Sequence, residues 1–180
     1  TAINDFNMGT ISNIERMEFT SNKITSLDLS RHNNLVTLNC KANPIATLVL
    51  PTAKNIVDLD CSYTEITELN LAGFTKLKNL YCQKGSSGYP SYITTTNKIS
   101  SFDISGCINL EKISCSQNAI TTLNLENYTK LTYLDCEQNK LSLLNLNGCS
   151  NLETLYMNTQ NVLDFDLPSF GAEMIFTING

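Results

Sequence analysis

The chain has 180 residues, enough for one domain with a sizeable core, and 42% of them are hydrophobic. Only 16% are charged, against the roughly 25% of an average soluble domain. A net charge of -5 without any Lys/Arg cluster argues against nucleic acid as a partner, and no apolar run approaches the roughly 18 to 20 residues that span a bilayer. Asn, Ser and Thr take the place of the missing charge, which predicts a surface of neutral hydrogen-bonding groups.

The opening stretch, Thr1-Ala-Ile-Asn-Asp, has neither the basic start nor the apolar run of a secretion signal. Its apolar residues Ile3, Phe6 and Met8 stand 21 positions before Ile24, Leu27 and Leu29. Residues 1–13 therefore read as part of a coil, with more chain expected upstream. Complete rows then begin at Ile14, Leu35, Ile56, Leu77, Leu110, Leu131 and Leu152, seven coils over 14–167. Each step is 21 residues except the one from Leu77 to Leu110, which is 33. The extra 12 residues form an inserted loop at 85–96 that brings Tyr89 and Tyr92. Residues 168–180 leave the register and are expected to cap the array, with Met174-Ile-Phe176-Thr-Ile178 as a closing strand. The whole chain is thus expected to be a single repeat domain.

Within a row such as Leu131-Thr-Tyr-Leu134-Asp-Cys136-Glu-Gln-Asn139-Lys-Leu141-Ser-Leu-Leu144-Asn-Leu146, two segments alternate apolar and polar residues. Period two is the mark of a strand with one buried face. The first segment predicts one wall of the coil, and the second predicts an opposite wall of short strand or extended chain. Asn22, Asn43, Asn97, Asn118 and Asn139 lie between the walls, where an amide can bond backbone groups and where Asn tolerates a left-handed turn. Stacked asparagines also predict bonds from coil to coil. Thr64 and Gln160 interrupt this column, so looser turns are expected there.

Cys40, Cys61, Cys82, Cys115 and Cys136 share one slot of the repeat, which Phe19 fills before them and Met157 after. Side-by-side Cβ vectors on parallel strands disfavour disulfides, and no tight C-x2-4-C pair suggests zinc. A buried ladder of free thiols is the expectation. His32 is the one histidine. It shares a slot with Ala53, Phe74, Cys107, Tyr128 and Cys149, which reads as the convex edge, away from any cysteine nucleophile. Neither a Ser/His/Asp set nor a Gly-rich phosphate loop is present, so no enzyme, no metal and no cofactor is expected. Asn127-Tyr-Thr129 fits a glycosylation sequon, a weak three-residue match.

The row pattern resembles the leucine-rich repeat family, L-x-x-L-x-L-x-x-N/C-x-L, over roughly Ile14 to Leu167. The 21-residue period and the cysteine in the third apolar slot are similar to the cysteine-ladder subclass of internalin-like bacterial surface proteins. The resemblance implies a mostly β, right-handed solenoid with a parallel concave sheet, extracellular or at the cell surface, binding through that sheet. It implies no particular ligand, and a protein or a glycan fits equally.

The register sorts outward residues into columns. One reads Arg16, Thr37, Asp58, Asn79, Lys112, Tyr133, Thr154; the next reads Glu18, Asn39, Asp60, Tyr81, Ser114, Asp135, Tyr156. Tyr81, Tyr133 and Tyr156 are aromatics placed outside by the register, and tyrosine is favoured as an interface anchor. With Tyr89 and Tyr92 from the loop and Asp58, Asp60 and Asp135 beside them, they form the expected ligand-binding face. Asp58 and Asp60 could hold calcium only with more oxygen ligands than neighbouring coils supply, so solvated acids are expected. A structural spacer, holding another domain away from the cell, is the alternative role.

Overall fold

A computed structural model describes residues 13–85 and 98–157, together with the backbone of two strands at 164–166 and 175–178. Every regular element among them is a β-strand. The first wall consists of β1 (Arg16–Glu18), β3 (Thr37–Asn39), β5 (Asp58–Asp60), β7 (Asn79–Tyr81), β9 (Lys112–Ser114), β11 (Tyr133–Asp135), β13 (Thr154–Met157) and β15 (Ile175–Ile178). These join in that order as one eight-stranded sheet, parallel at each described pairing. The chain is a mostly β leucine-rich-repeat solenoid.

The opposite wall is broken into shorter pieces. The strands β2 (Ser26–Asp28) and β4 (Thr47–Val49) pair, as do β6 (Glu68–Asn70) and β8 (Ser101–Asp103). A third piece joins β10 (Thr122–Asn124), β12 (Leu143–Asn145) and β14 (Asp164–Asp166). Three-residue strands with the middle residue inward follow directly from the L-x-L segments. The core between the walls holds Leu38, Leu59, Leu80, Ile113, Leu134 and Leu155 from the long sheet, facing Leu27, Leu69, Leu123 and Leu144.

All seven cysteines are free and buried, and those in the ladder slot are 0 to 2% exposed. Their N–H groups continue the sheet, as in Cys40 to the Asp60 carbonyl at 2.8 Å and Cys115 to the Asp135 carbonyl at 2.8 Å. Desolvation raises every one of these thiols, with Cys61 and Cys136 pushed up to about 12.

The asparagine column bonds across coils. Asn43 Nδ2 donates to the carbonyls of Phe19 at 2.7 Å and Cys40 at 3.0 Å, while its Oδ1 accepts the Ile24 N–H at 3.1 Å. Asn118 reaches Cys82 and Cys115 in the same way, both at 3.0 Å, and Asn139 reaches Cys115 and Cys136 at 3.0 and 3.1 Å. One amide thus serves two coils. The left-handed residue, however, is not the asparagine but the one before it: Ser21, Ala42, Gln117 and Gln138 have φ between 52 and 60°.

Four further expectations are corrected. At Thr64 the turn is not looser: Tyr63 keeps φ 55°, Thr64 Oγ1 donates to the Cys61 carbonyl at 2.8 Å, and the Ile45 N–H turns to the Asn43 carbonyl at 2.8 Å. His32 is only 7% exposed, because its slot points inward with Phe74, Cys107, Tyr128 and Cys149 as a second buried column. Three of that column donate to aliphatic-row carbonyls: Cys107 to Leu71 at 3.1 Å, Tyr128 to Ile104 at 2.6 Å and Cys149 to Leu125 at 3.2 Å. The tail keeps the register, since β15 pairs Ile175 with Thr154 and Phe176 with Leu155, a 21-residue step. Finally, Tyr81, Tyr133 and Tyr156 are half-buried instead of fully exposed. All but the last residue of the partial coil at 1–13, most of the inserted loop, Gln160 and the remainder of the tail lie outside the described residues.

Candidate functional site

The long sheet presents its outward columns as the register predicts. Pairing sets Asp60 beside Tyr81, Tyr81 beside Ser114, Ser114 beside Asp135 and Asp135 beside Tyr156. The neighbouring column sets Lys112 beside Tyr133 and Tyr133 beside Thr154. Large rings therefore border small side chains, and Ser114, paired with Tyr81 on one side and Asp135 on the other, is 6% exposed although it lies in an outward column.

Tyr133 and Tyr156 have ring centroids 5.9 Å apart at an interplanar angle of 56°, a tilted aromatic pair. The Tyr133 phenol is raised, first by desolvation and then by the negative charges of Asp135, Tyr156 and Tyr81 when ionised. Tyr133 and Tyr156 thus form an aromatic patch, with Tyr81 two strands from Tyr133 on the same sheet. Tyr89 and Tyr92 lie outside the described residues, so nothing places them beside it.

Next to Tyr81 the sheet forms a trough of about 350 Å³ toward its first strands. Asp58, Asp60 and Tyr81 line it, which brings three of the predicted residues together. Tyr133, Tyr156 and Asp135 are not among its lining, so the candidate face has two adjoining parts, a polar trough and an aromatic patch. Arg16, Glu18, Thr37, Asn39, Asn79 and Lys112 supply the rest of its polar lining, and sequence reasoning did not single them out. They stand in the same outward columns as the tyrosines and acids, and weighing every outward position against its lateral neighbours would have found them.

The acids are tied into the scaffold. Asp58 accepts the Asn79 Nδ2 at 2.6 Å, and Asp60 Oδ1 accepts both the N–H of Ser62, at 3.0 Å, and its hydroxyl. Asp135 Oδ2 accepts Ser116 Oγ at 2.8 Å and Ser114 Oγ at 3.2 Å, and its Oδ1 accepts the Glu137 N–H at 3.3 Å. An Asp or Asn at the end of a strand closes its own turn in this way. Asp60 and Asp135 therefore hold the corner as well as facing outward, and each keeps acceptor capacity for a ligand hydroxyl or amide. Arg16 pairs with Glu18 at the near end of the trough. Among the described residues, no group of three or more His, Cys, Asp or Glu is arranged to hold a metal ion. No helix among them is long and apolar enough to cross a membrane.

No protein-family model and no curated protein matches the chain. Among solved structures, the chain is similar to the functional domain of InlJ from Listeria monocytogenes, whose description includes a cysteine ladder. The identity is 25%, the TM-score is 0.40, and the match covers 92% of this chain and 48% of that one, so this chain spans about half the length of that structure.

Proposed function

We propose that this repeat protein is a non-enzymatic binding module, secreted or displayed at a cell surface, that engages a protein or carbohydrate through the outer face of its long sheet. The observation that carries the reading is the joint placement of a half-buried tyrosine patch and a hydrogen-bonding trough on one rigid parallel sheet. Rings already packed on neighbours lose little freedom on binding, and acids fixed by the scaffold present their remaining lone pairs in set directions. The low charge and Asn/Thr-rich exterior, together with the leucine-rich repeat resemblance, support the surface location. The inserted loop at 85–96 begins three residues past Cys82, close in sequence to Tyr81.

The test is a glycan and protein array probed with the purified chain, followed by Tyr81→Ala and Tyr133→Ala on any hit. Each substitution is expected to weaken binding at least tenfold with the melting midpoint kept within a few degrees. Unaltered affinity in both variants moves the site elsewhere and favours the spacer role.

A further inference from the structure

The broken wall carries a second feature, independent of the long sheet. Between β4 and β6 the strands do not pair, and a cleft of about 420 Å³ opens there. Its apolar lining comes from Leu48, Val49, Leu50, Pro51, Leu69 and Phe74.

The sequence of this step departs from the repeat at three places, and each departure removes a polar partner. In other coils the residue after the inward leucine is Asp28, Asn70, Asp103, Asn124 or Asn145, whose Oδ1 accepts the N–H two residues on at 2.9 to 3.2 Å. Here that pair is Val49 and Pro51, so the acceptor and the N–H are both gone. Cys107, Tyr128 and Cys149 each donate to a row carbonyl, but the corresponding residue here is Phe74, which cannot donate. The Ala53 N–H, whose equivalents in other coils bond the row carbonyl, goes instead to Asn33 Oδ1 at 3.1 Å.

Leu50 is left with neither its N–H nor its carbonyl bonded among the described residues, whereas Leu29, Leu71 and Leu125 have both engaged. The second break in this wall, between β8 and β10, differs because the Tyr128 hydroxyl caps the Ile104 carbonyl. Leu50 thus offers one donor and one acceptor at the edge of an apolar cleft, and Val49 stands 40% exposed at its lip. That combination is the template for an added strand.

The rim carries one charge of each sign. Lys54 keeps its charge but is held by the Ala72 carbonyl at 2.6 Å and over the Phe74 ring at 5.7 Å. Glu68 on the edge strand β6 is exposed and faces the cleft as its one acidic side chain. We propose that this cleft takes an extended peptide segment of a partner, bonded to the Leu50 backbone, with an apolar side chain against Phe74 and Pro51 and a Lys or Arg opposite Glu68.

The test uses the full chain with methyl-labelled Leu and Val, titrated with the peptide acetyl-Thr-Val-Lys-Val-Thr-amide and its twin N-methylated at both valines. Saturable shifts of the Leu48, Val49 and Leu50 methyls are expected in roughly the millimolar range for so short a peptide. The N-methylated twin and the Glu68→Lys variant are each expected to bind at least tenfold more weakly, with Tyr81→Ala unchanged. No methyl shift in that range overturns the proposal. Equal binding of the N-methylated twin overturns it in favour of a small apolar occupant. Indifference to Glu68→Lys, or loss with Tyr81→Ala, overturns it by placing the peptide elsewhere.

Discussion

A thiol in the ladder slot is enclosed by the aliphatic rows of its own and adjacent coils, so ionising it would put a charge where water does not reach. Cys61 and Cys136, raised to about 12, are accordingly poor nucleophiles at neutral pH. Ellman reagent is expected to label few thiols in the native chain and all seven after denaturation; fast native labelling of the ladder would refute this burial. The same shift fixes a pH dependence. Because the folded value lies above the ordinary 9.0, the native state holds the proton that the unfolded chain releases. Stability is therefore full below about pH 9 and falls as pH rises toward 12. Denaturant midpoints measured across that window should decline, and a flat profile would contradict it. Cys115→Ser should cost roughly 1–3 kcal/mol by burying a poorly paired hydroxyl, which the same midpoints would read.

At the scale of the element, one corner decides how coils stack. An asparagine there satisfies carbonyls in two coils and an N–H in the earlier one, whereas Thr64 satisfies only its own coil's Cys61 carbonyl. Lys84, 4% exposed, reaches in to the Thr64 carbonyl, and desolvation lowers its amine. Thr64→Asn, similar in volume, would supply the bonds to the Cys40 carbonyl and the Ile45 N–H that the asparagines make in other coils. A gain of roughly 1 kcal/mol in chemical denaturation is expected, and a loss would show that Lys84 and Glu65 already fill the space. The asparagine column itself was legible, because a fixed spacing of a residue with both a donor and an acceptor leaves few other roles. The left-handed residue before it was not: Ser21, Ala42, Gln117 and Gln138 share no side-chain property that favours positive φ, which is set by the turn they close. The burial of His32 was hidden for a related reason. Its slot holds residues as different as Phe74, Cys107 and an exposed Ala53, and only the shape of the corner shows that His32, Phe74, Cys107, Tyr128 and Cys149 point inward. The tyrosines were placed on the correct columns by period two, but their partial burial comes from neighbours on adjacent strands, as in the Tyr133–Tyr156 pair, which stand 21 or more residues apart in sequence.

For the molecule as a whole, the long sheet runs unbroken past the inserted loop, since β7 pairs β9 with Asn79 beside Lys112 and Leu80 beside Ile113. The Cys82 N–H bonds the Ser114 carbonyl at 2.8 Å, so coil stacking is complete on the near side of the insertion. On the far side Ile99 donates to Asn118 Oδ1 at 3.0 Å, as Ile24 does to Asn43. Removing residues 85–96 would join Lys84 to Asn97 and recreate Cys82-Gln-Lys-Asn-Lys-Ile, the C-x-x-N-x-I row of the other coils. The step from Leu77 to Leu110 would then be 21 residues instead of 33. In a solenoid each coil contacts only its neighbours, so a restored step leaves the remaining interfaces untouched. The shortened chain should keep its β circular dichroism and unfold in one cooperative transition within a few degrees of the parent. Loop-closure entropy favours it slightly, by well under ~1 kcal/mol per halving of the excursion. Two transitions, or a clear loss of stability, would mean that the insertion supplies packing the repeat needs. If the shortened chain folds and ligand affinity falls, the insertion belongs to the binding face beside Tyr81; if affinity is kept, the trough and the tyrosine patch suffice.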